Sequence, residues 1–87
     1  MLSNKLVTIG TLSVTIYDFE SEGDILPMHV HPEDMNHMSV VKGRIKATGD
    51  GWEKILEDGE VVDWAANDPH EFTSLEANSR LVNIRKT

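Results

Sequence analysis

Four histidines are the residues of this 87-residue chain best suited to chemistry, and two of them are spaced to bind one ion together. His29 and His31 form an H-x-H pair. Residues i and i+2 of an extended strand point to the same side, so both imidazoles can face one metal. Imidazole nitrogen binds first-row transition metals at about 2.0–2.2 Å. A third nitrogen can come from His70, which opens a later strand-like segment.

An isolated H-x-H pair is weak evidence for a metal site, and the glycines around this pair add to it. The segment fits the pattern G-x5-H-x-H-x4-E-x6-G at every position but one. Its defined positions are Gly23, His29, His31, Asn36 and Gly43, with Asn36 in place of the glutamate.

A second and looser pattern, G-x5-P-x-G-x2-H-x3-N, fits the later part of the chain. Gly59 and His70 keep the expected residue type and spacing. The departures from this pattern are Ala65, Asn67 and Ser74. Asparagine still tolerates the left-handed backbone that glycine would provide.

Over residues 23–74 the chain resembles small single-domain members of the cupin superfamily. The resemblance implies an all-β fold, a small cupin-type β-barrel (a double-stranded β-helix or jelly roll) of two antiparallel sheets. It implies one divalent transition metal (Fe, Mn, Ni or Zn), held between the sheets by His29, His31 and His70. It also implies a homodimer, which the small size of the chain favours as well.

Asn36 and His37 leave the ligand set of the metal open. In cupins the glutamate supplies a carboxylate ligand, and the amide oxygen of Asn36 is a neutral and weaker donor. Three histidines alone leave coordination positions for water or substrate, and several cupins with such sites activate dioxygen at iron. On a regular strand His37 points away from Asn36 and Met38, and so away from the metal, unless a bulge turns it inward.

Two apolar residues near the histidines are candidates for the wall of a pocket. Phe72 follows His70 by two residues and therefore shares its face of the strand. Met38 has an adaptable side chain suited to an apolar pocket. Ordinary packing in the core is the alternative interpretation for both residues.

Short runs rich in β-branched and aromatic residues alternate with Gly, Asp, Asn and Pro, which is typical of consecutive antiparallel strands. The predicted strands are Leu6–Ile9, Leu12–Phe19, Met28–His31, Asn36–Lys42, Arg44–Thr48, Trp52–Leu56, Glu60–Ala65, His70–Leu75 and Arg80–Ile84. Turns recur about every 8 to 12 residues, which favours a sandwich or barrel. We expect eight or nine strands in one domain spanning residues 1–87.

The composition of the chain excludes several classes of partner. A net charge of −7 should repel nucleic-acid phosphates and anionic lipid, so neither nucleic acid nor membrane is expected. The absence of cysteine excludes disulfides and thiolate ligands. The N-terminal segment does not resemble a signal peptide, and no apolar run approaches the roughly 18 residues of a membrane span. We therefore expect a soluble, cytoplasmic protein.

Three functions are compatible with these features. The first is a metalloenzyme acting on a small organic substrate, by dioxygenase-like or other metal-assisted chemistry. The second is a non-catalytic module that binds or senses a small ligand or a metal. The third is a structural dimer with a vestigial pocket. An enzyme requires an open coordination position beside a polar pocket, so whether the protein is an enzyme stays open here.

Overall fold

Side chains alternate between inward and outward positions along the strands, which gives each sheet one apolar face. The chain folds as two sheets that pack these apolar faces against each other. The computed structural model describes residues 1–29, 37–64 and 70–86, and of Met28, His29, His37 and Lys86 it describes the backbone only. These residues contain no helix and nine strands. The strands are β1 (Leu2–Ile9), β2 (Leu12–Phe19), β3 (Ile25–His29), β4 (His37–Lys42), β5 (Arg44–Gly49), β6 (Trp52–Glu57), β7 (Val61–Trp64), β8 (His70–Ser74) and β9 (Ser79–Lys86).

The strands form one five-stranded and one four-stranded sheet. The strand order is β1-β2-β9-β4-β7 in the larger sheet and β3-β8-β5-β6 in the smaller sheet. All neighbouring strands are antiparallel. The expectation of an all-β barrel built from two antiparallel sheets is therefore confirmed. The described part of the chain contains no helix long and apolar enough to cross a membrane.

The hydrophobic core lies between the two sheets. Its members are 0–5% exposed and come from both sheets: Phe19, Val41, Ile45, Ala47, Leu56, Trp64, Phe72 and Leu81. Full burial of a large apolar side chain contributes about 1.5–3 kcal/mol. Because these residues alternate with exposed ones, the same strands also build an outward face.

Most strand boundaries agree with the sequence prediction, and the largest difference is in β1. This strand begins four residues earlier than predicted, because its backbone pairs with β2 along its whole length, from Leu2 opposite Phe19 to Ile9 opposite Leu12. The predicted loop Pro32–Met35 and the predicted turn at residues 67–69 lie outside the described residues.

Gly43 marks the point at which the chain passes from one sheet to the other. It joins β4 of the larger sheet to β5 of the smaller sheet with a φ of 88°. Its backbone N–H donates a hydrogen bond to Oδ1 of Asp58 at 3.0 Å. The two strands joined by Gly43 carry parts of the core on opposite sides of the barrel.

Candidate functional site

His70 lies in the barrel interior and is fully buried, at 0% exposure. Alternate residues of β8, beginning with His70 and Phe72, point into the core. The His70 imidazole stacks on the Trp64 indole, with ring centroids 4.9 Å apart and planes 26° apart. It is tilted against the Phe72 ring at a centroid distance of 5.3 Å. These rings restrict the orientation of the imidazole.

Backbone register brings His29, the first histidine of the predicted H-x-H pair, opposite His70. β3 runs antiparallel to β8, and His29 is paired directly with His70, after a register shift between Leu26 and His29. Directly opposed residues of an antiparallel pair have Cβ atoms about 4.5–5.5 Å apart. A buried histidine opposite a second histidine position fits a histidine-bound metal. The His29 side chain, and all of His31 and Asn36, lie outside the described parts of the chain.

A stack of aromatic rings extends from His70 toward the hairpin between β5 and β6. Trp64 stacks on Trp52 at a centroid distance of 5.6 Å, and it meets Phe72 edge-on at 5.6 Å. A Cβ atom at Gly49 would overlap the Trp52 indole, so this glycine leaves the space that the indole fills. The side of His70 that faces Trp64 is therefore apolar.

Ser39 and Asn83 are buried polar residues that line the barrel interior on the side of the larger sheet. Trp64 Nε1 donates a hydrogen bond to Ser39 Oγ at 2.7 Å, and Ser39 Oγ donates to Asn83 Oδ1. Ser39 is 0% exposed and Asn83 is 9% exposed. Sequence reasoning did not identify either residue. The available signal was that each lies two residues from a core position in its own strand.

Removal of the Ser39 hydroxyl is expected to destabilise the fold. Ser39→Ala eliminates both hydrogen bonds and leaves the buried Asn83 oxygen without that donor, which should cost about 2–3 kcal/mol. Urea unfolding monitored by far-ultraviolet circular dichroism measures this loss. Ser3→Ala removes the same group from an exposed position of β1 and should change stability by less than about 0.5 kcal/mol. Equal losses in the two variants would contradict the role of the Ser39 hydroxyl.

The residues of β4 that face inward differ from those expected to line the pocket. Ser39 and Val41 are buried, whereas Met38 is 40% exposed on the opposite face of the strand. Met38 therefore lies outside the interior, contrary to the expectation that it lines a pocket, because packing of Val41 in the core fixes the phase. Phe72 does lie in the interior beside His70. The His37 backbone pairs with β7 and β9, and its side chain lies outside the description.

No charged side chain is fully buried in the described interior, and the partly buried Arg85 lies on the inward face of β9 with Leu81 and Asn83. Among residues 1–29, 37–64 and 70–86, no Asp, Glu, Lys or Arg is buried. In the same residues no group of three or more His, Asp or Glu side chains is placed to hold a metal. A polar cleft of about 380 Å³ lies at the opposite end of the barrel, beside Asp18, Lys42 and Arg80. This cleft contains no histidine and is separate from His70.

Comparison with known proteins gives a match to a family and to many solved structures. Residues 15–84 match the cupin domain family. The structure of KdgF from a Halomonas species superposes with a TM-score of 0.84 at 18% identity, covering 98% of this chain and 77% of that one. An RmlC-like cupin from Desulfovibrio desulfuricans gives a TM-score of 0.82 at 24% identity, covering 95% and 80%.

A comparison with curated proteins gives no match. The structural similarities, at identities below 25%, show the fold alone. The family match covers most of the chain, including the whole segment between the first and last motif positions. The chain therefore belongs to the cupin superfamily.

Proposed function

We propose that this protein binds one divalent transition metal through His29, His31 and His70 and presents it to a small organic ligand. The observation that carries the proposal is the pairing of His29 with the buried His70 across β3 and β8. The H-x-H spacing adds His31 to the same strand side. Membership of the cupin superfamily supports it, because cupin domains commonly bind a metal.

The lack of a buried carboxylate among the described residues favours an anionic ligand. With three imidazole ligands and no buried Asp or Glu in the described interior, the positive charge of a bound ion would stay uncompensated. A carboxylate or enolate oxygen would compensate it. When bound, such an ion supplies Lewis-acid chemistry or a site for dioxygen. Trp64 and Phe72 would exclude water from one side of His70, and Asn36 would donate a hydrogen bond that orients the ligand.

A non-catalytic function is the second candidate, and one observation favours it. The first motif has Asn36 where cupins have glutamate, so this position offers no carboxylate that could act as a general acid or base. A protein of this kind would bind a metal or a small anion and release it unchanged. Both candidates use the same three histidines.

Metal content tests the proposal. We expect protein purified without a histidine tag to contain about one equivalent of Fe, Mn, Ni or Zn by mass spectrometry, because imidazole nitrogen suits these ions. His31→Ala and His70→Ala should lose it, since two remaining imidazoles bind weakly. Ser3→Ala, at an exposed position of β1, is the control and should keep it, because all four histidines remain.

Circular dichroism of each variant separates loss of ligand from loss of fold, which matters most for the buried His70. The proposal fails if the wild-type protein takes up none of the four ions after reconstitution. Consumption of dioxygen by iron-loaded protein, with a panel of small carboxylic acids, then distinguishes an enzyme from a binding module.

A further inference from the structure

Over part of their length, β2 and β9 place polar side chains inward and apolar side chains outward. The buried Phe19 and Leu81 identify the inward positions of the two strands, because side chains alternate along each strand. The further inward residues are all polar and are called here the polar inner strip: Ser13, Thr15, Tyr17, Asn83 and Arg85. The outward residues between them are apolar: Val14, Ile16, Val82 and Ile84. Strands that only packed a core would show the reverse pattern.

Backbone register places Arg85 of the polar inner strip at the same level of the barrel as His70. Arg85 and Trp64 both pair with the backbone of His37, so they lie in one row of the larger sheet. They are two strand spacings, or about 10 Å, apart in that row. His70 stacks on Trp64, so its imidazole lies at this level too. A separation of this size accommodates a small organic molecule between Arg85 and His70.

Three hydroxyls of the polar inner strip are available to such a molecule. Ser13 is 8% exposed, and Thr15 and Tyr17 are partly buried. Their hydroxyls make no hydrogen bond within the described part of the chain, and each oxygen remains accessible to solvent. Polar groups in a protein interior are normally hydrogen-bonded. Three inward hydroxyls of this kind therefore indicate a space that a polar ligand can enter.

Arg85 supplies the charge of the polar inner strip. Burial raises the pKa of the Tyr17 hydroxyl and the positive charge of Arg85 opposes this rise, so the guanidinium lies within electrostatic range of that hydroxyl. The described inward positions of β2 and β9 include no Asp or Glu. A guanidinium has five N–H donors, so Arg85 can hold a carboxylate through two parallel hydrogen bonds and keep its other contacts.

We propose that the polar inner strip binds a carboxylate of the ligand, with Arg85 as the charged contact and the three hydroxyls as further donors. The inference rests on the proposed function for the other end of the ligand, which would meet the metal beside His70. A ligand held at both ends needs an anionic group at each. The class of ligand is therefore a short dicarboxylate, with or without a hydroxyl or oxo group.

Titration of metal-free protein with succinate tests the polar inner strip without the metal. We expect the wild-type protein to bind succinate weakly by NMR, and Arg85→Met to raise the dissociation constant about tenfold or more. Arg80→Met is the matched control, because Arg80 lies on the same strand but is exposed on the outward face beside Asp18. It should leave the affinity unchanged. Absence of binding to the wild-type protein, or equal affinity in Arg85→Met, overturns the proposal.

A hydroxyl variant provides a second test that does not depend on the folding of Arg85→Met. Thr15→Val removes one hydroxyl of the strip at nearly constant shape and should weaken succinate binding about threefold to tenfold. Thr48→Val is its control, because Thr48 is also partly buried but alternates with the buried Ala47 on β5 and so faces outward. Equal affinities in the two variants would overturn the assignment of these hydroxyls to the carboxylate.

Zinc-loaded protein separates this inference from the proposed function. Succinate should bind about tenfold more tightly than butyrate, which has the same length and only one carboxylate. Arg85→Met should lose this preference while it retains the metal. A preference that persists in Arg85→Met overturns the proposal. If the wild-type protein binds no ion, the proposed function fails, and the titration of metal-free protein still decides whether the polar inner strip binds a carboxylate.

Discussion

Phe72→Ala is expected to lower the free energy of unfolding by about 3–5 kcal/mol. The ring is 0% exposed and belongs to the core between the sheets. It meets the Trp64 indole edge-on at 5.6 Å and the His70 imidazole at 5.3 Å. Truncation therefore removes buried apolar area and leaves a cavity that these neighbouring rings cannot fill without moving.

Chemical denaturation measures this loss, and Phe72→Leu is its control. Leucine retains most of the buried volume and should cost less than half as much as alanine. A second readout is the metal content of Phe72→Ala. Under the proposed function it should fall even where the variant stays folded, because His70 loses one of the rings that orient it. A cost below about 1 kcal/mol would show that Phe72 is not packed in the core.

Gly43→Ala is expected to be more destabilising than Gly59→Ala by about 1–3 kcal/mol. Both glycines have nearly the same backbone conformation, with φ of 88° and 86°. An L-residue there costs about 1–2 kcal/mol in either position. A Cβ at Gly43 would also lie 3.0 Å from the Cα of Ser79, whereas a Cβ at Gly59 would meet nothing within 4 Å.

Ser79 cannot easily move away from such a Cβ. It is 1% exposed, and its hydroxyl donates to the Glu76 carbonyl at 2.9 Å and accepts from the Arg44 N–H at 3.2 Å. The difference between the two glycine variants in urea unfolding isolates the steric part of the cost, because the backbone part is common to both. Equal losses would show that the approach of Gly43 to Ser79 does not constrain the fold.

The strand type and the position of most strands along the chain could be predicted from the sequence, because both depend on local signals. β-branched runs between turn residues place seven of the nine strands within two residues of their observed bounds. The predicted third strand overlaps β3 only at Met28 and His29, and the predicted first strand lacks the polar first half of β1, which is held by its pairing with β2. The motif glycines likewise correspond to real constraints: Gly43 and Gly59 both adopt positive φ.

Which residues of β4 face inward could not be predicted, because this depends on how the strand packs against the rest of the core. The sequence alternates around Met38 without showing which set of residues faces inward. Burial of Val41 against the core decides it, and Ser39 follows Val41 inward. The hydrogen bonds from Trp64 through Ser39 to Asn83 require Ser39 to face inward, and they require β4 to pair with β9, which is distant in sequence. The predicted ligands His29, His31 and His70 stay a prediction, supported by the backbone register of two of them.

The aromatic stack beside His70 allows the intrinsic tryptophan fluorescence of the protein to report on the candidate site. The chain has two tryptophans, and both belong to the stack, so all of its indole emission comes from rings next to the candidate site. An open-shell ion such as Fe or Ni would quench that emission, whereas Zn, with its filled d shell, would leave it largely intact. Titration of unlabelled protein with each ion in turn would therefore report occupancy and distinguish the classes of ion in one cuvette.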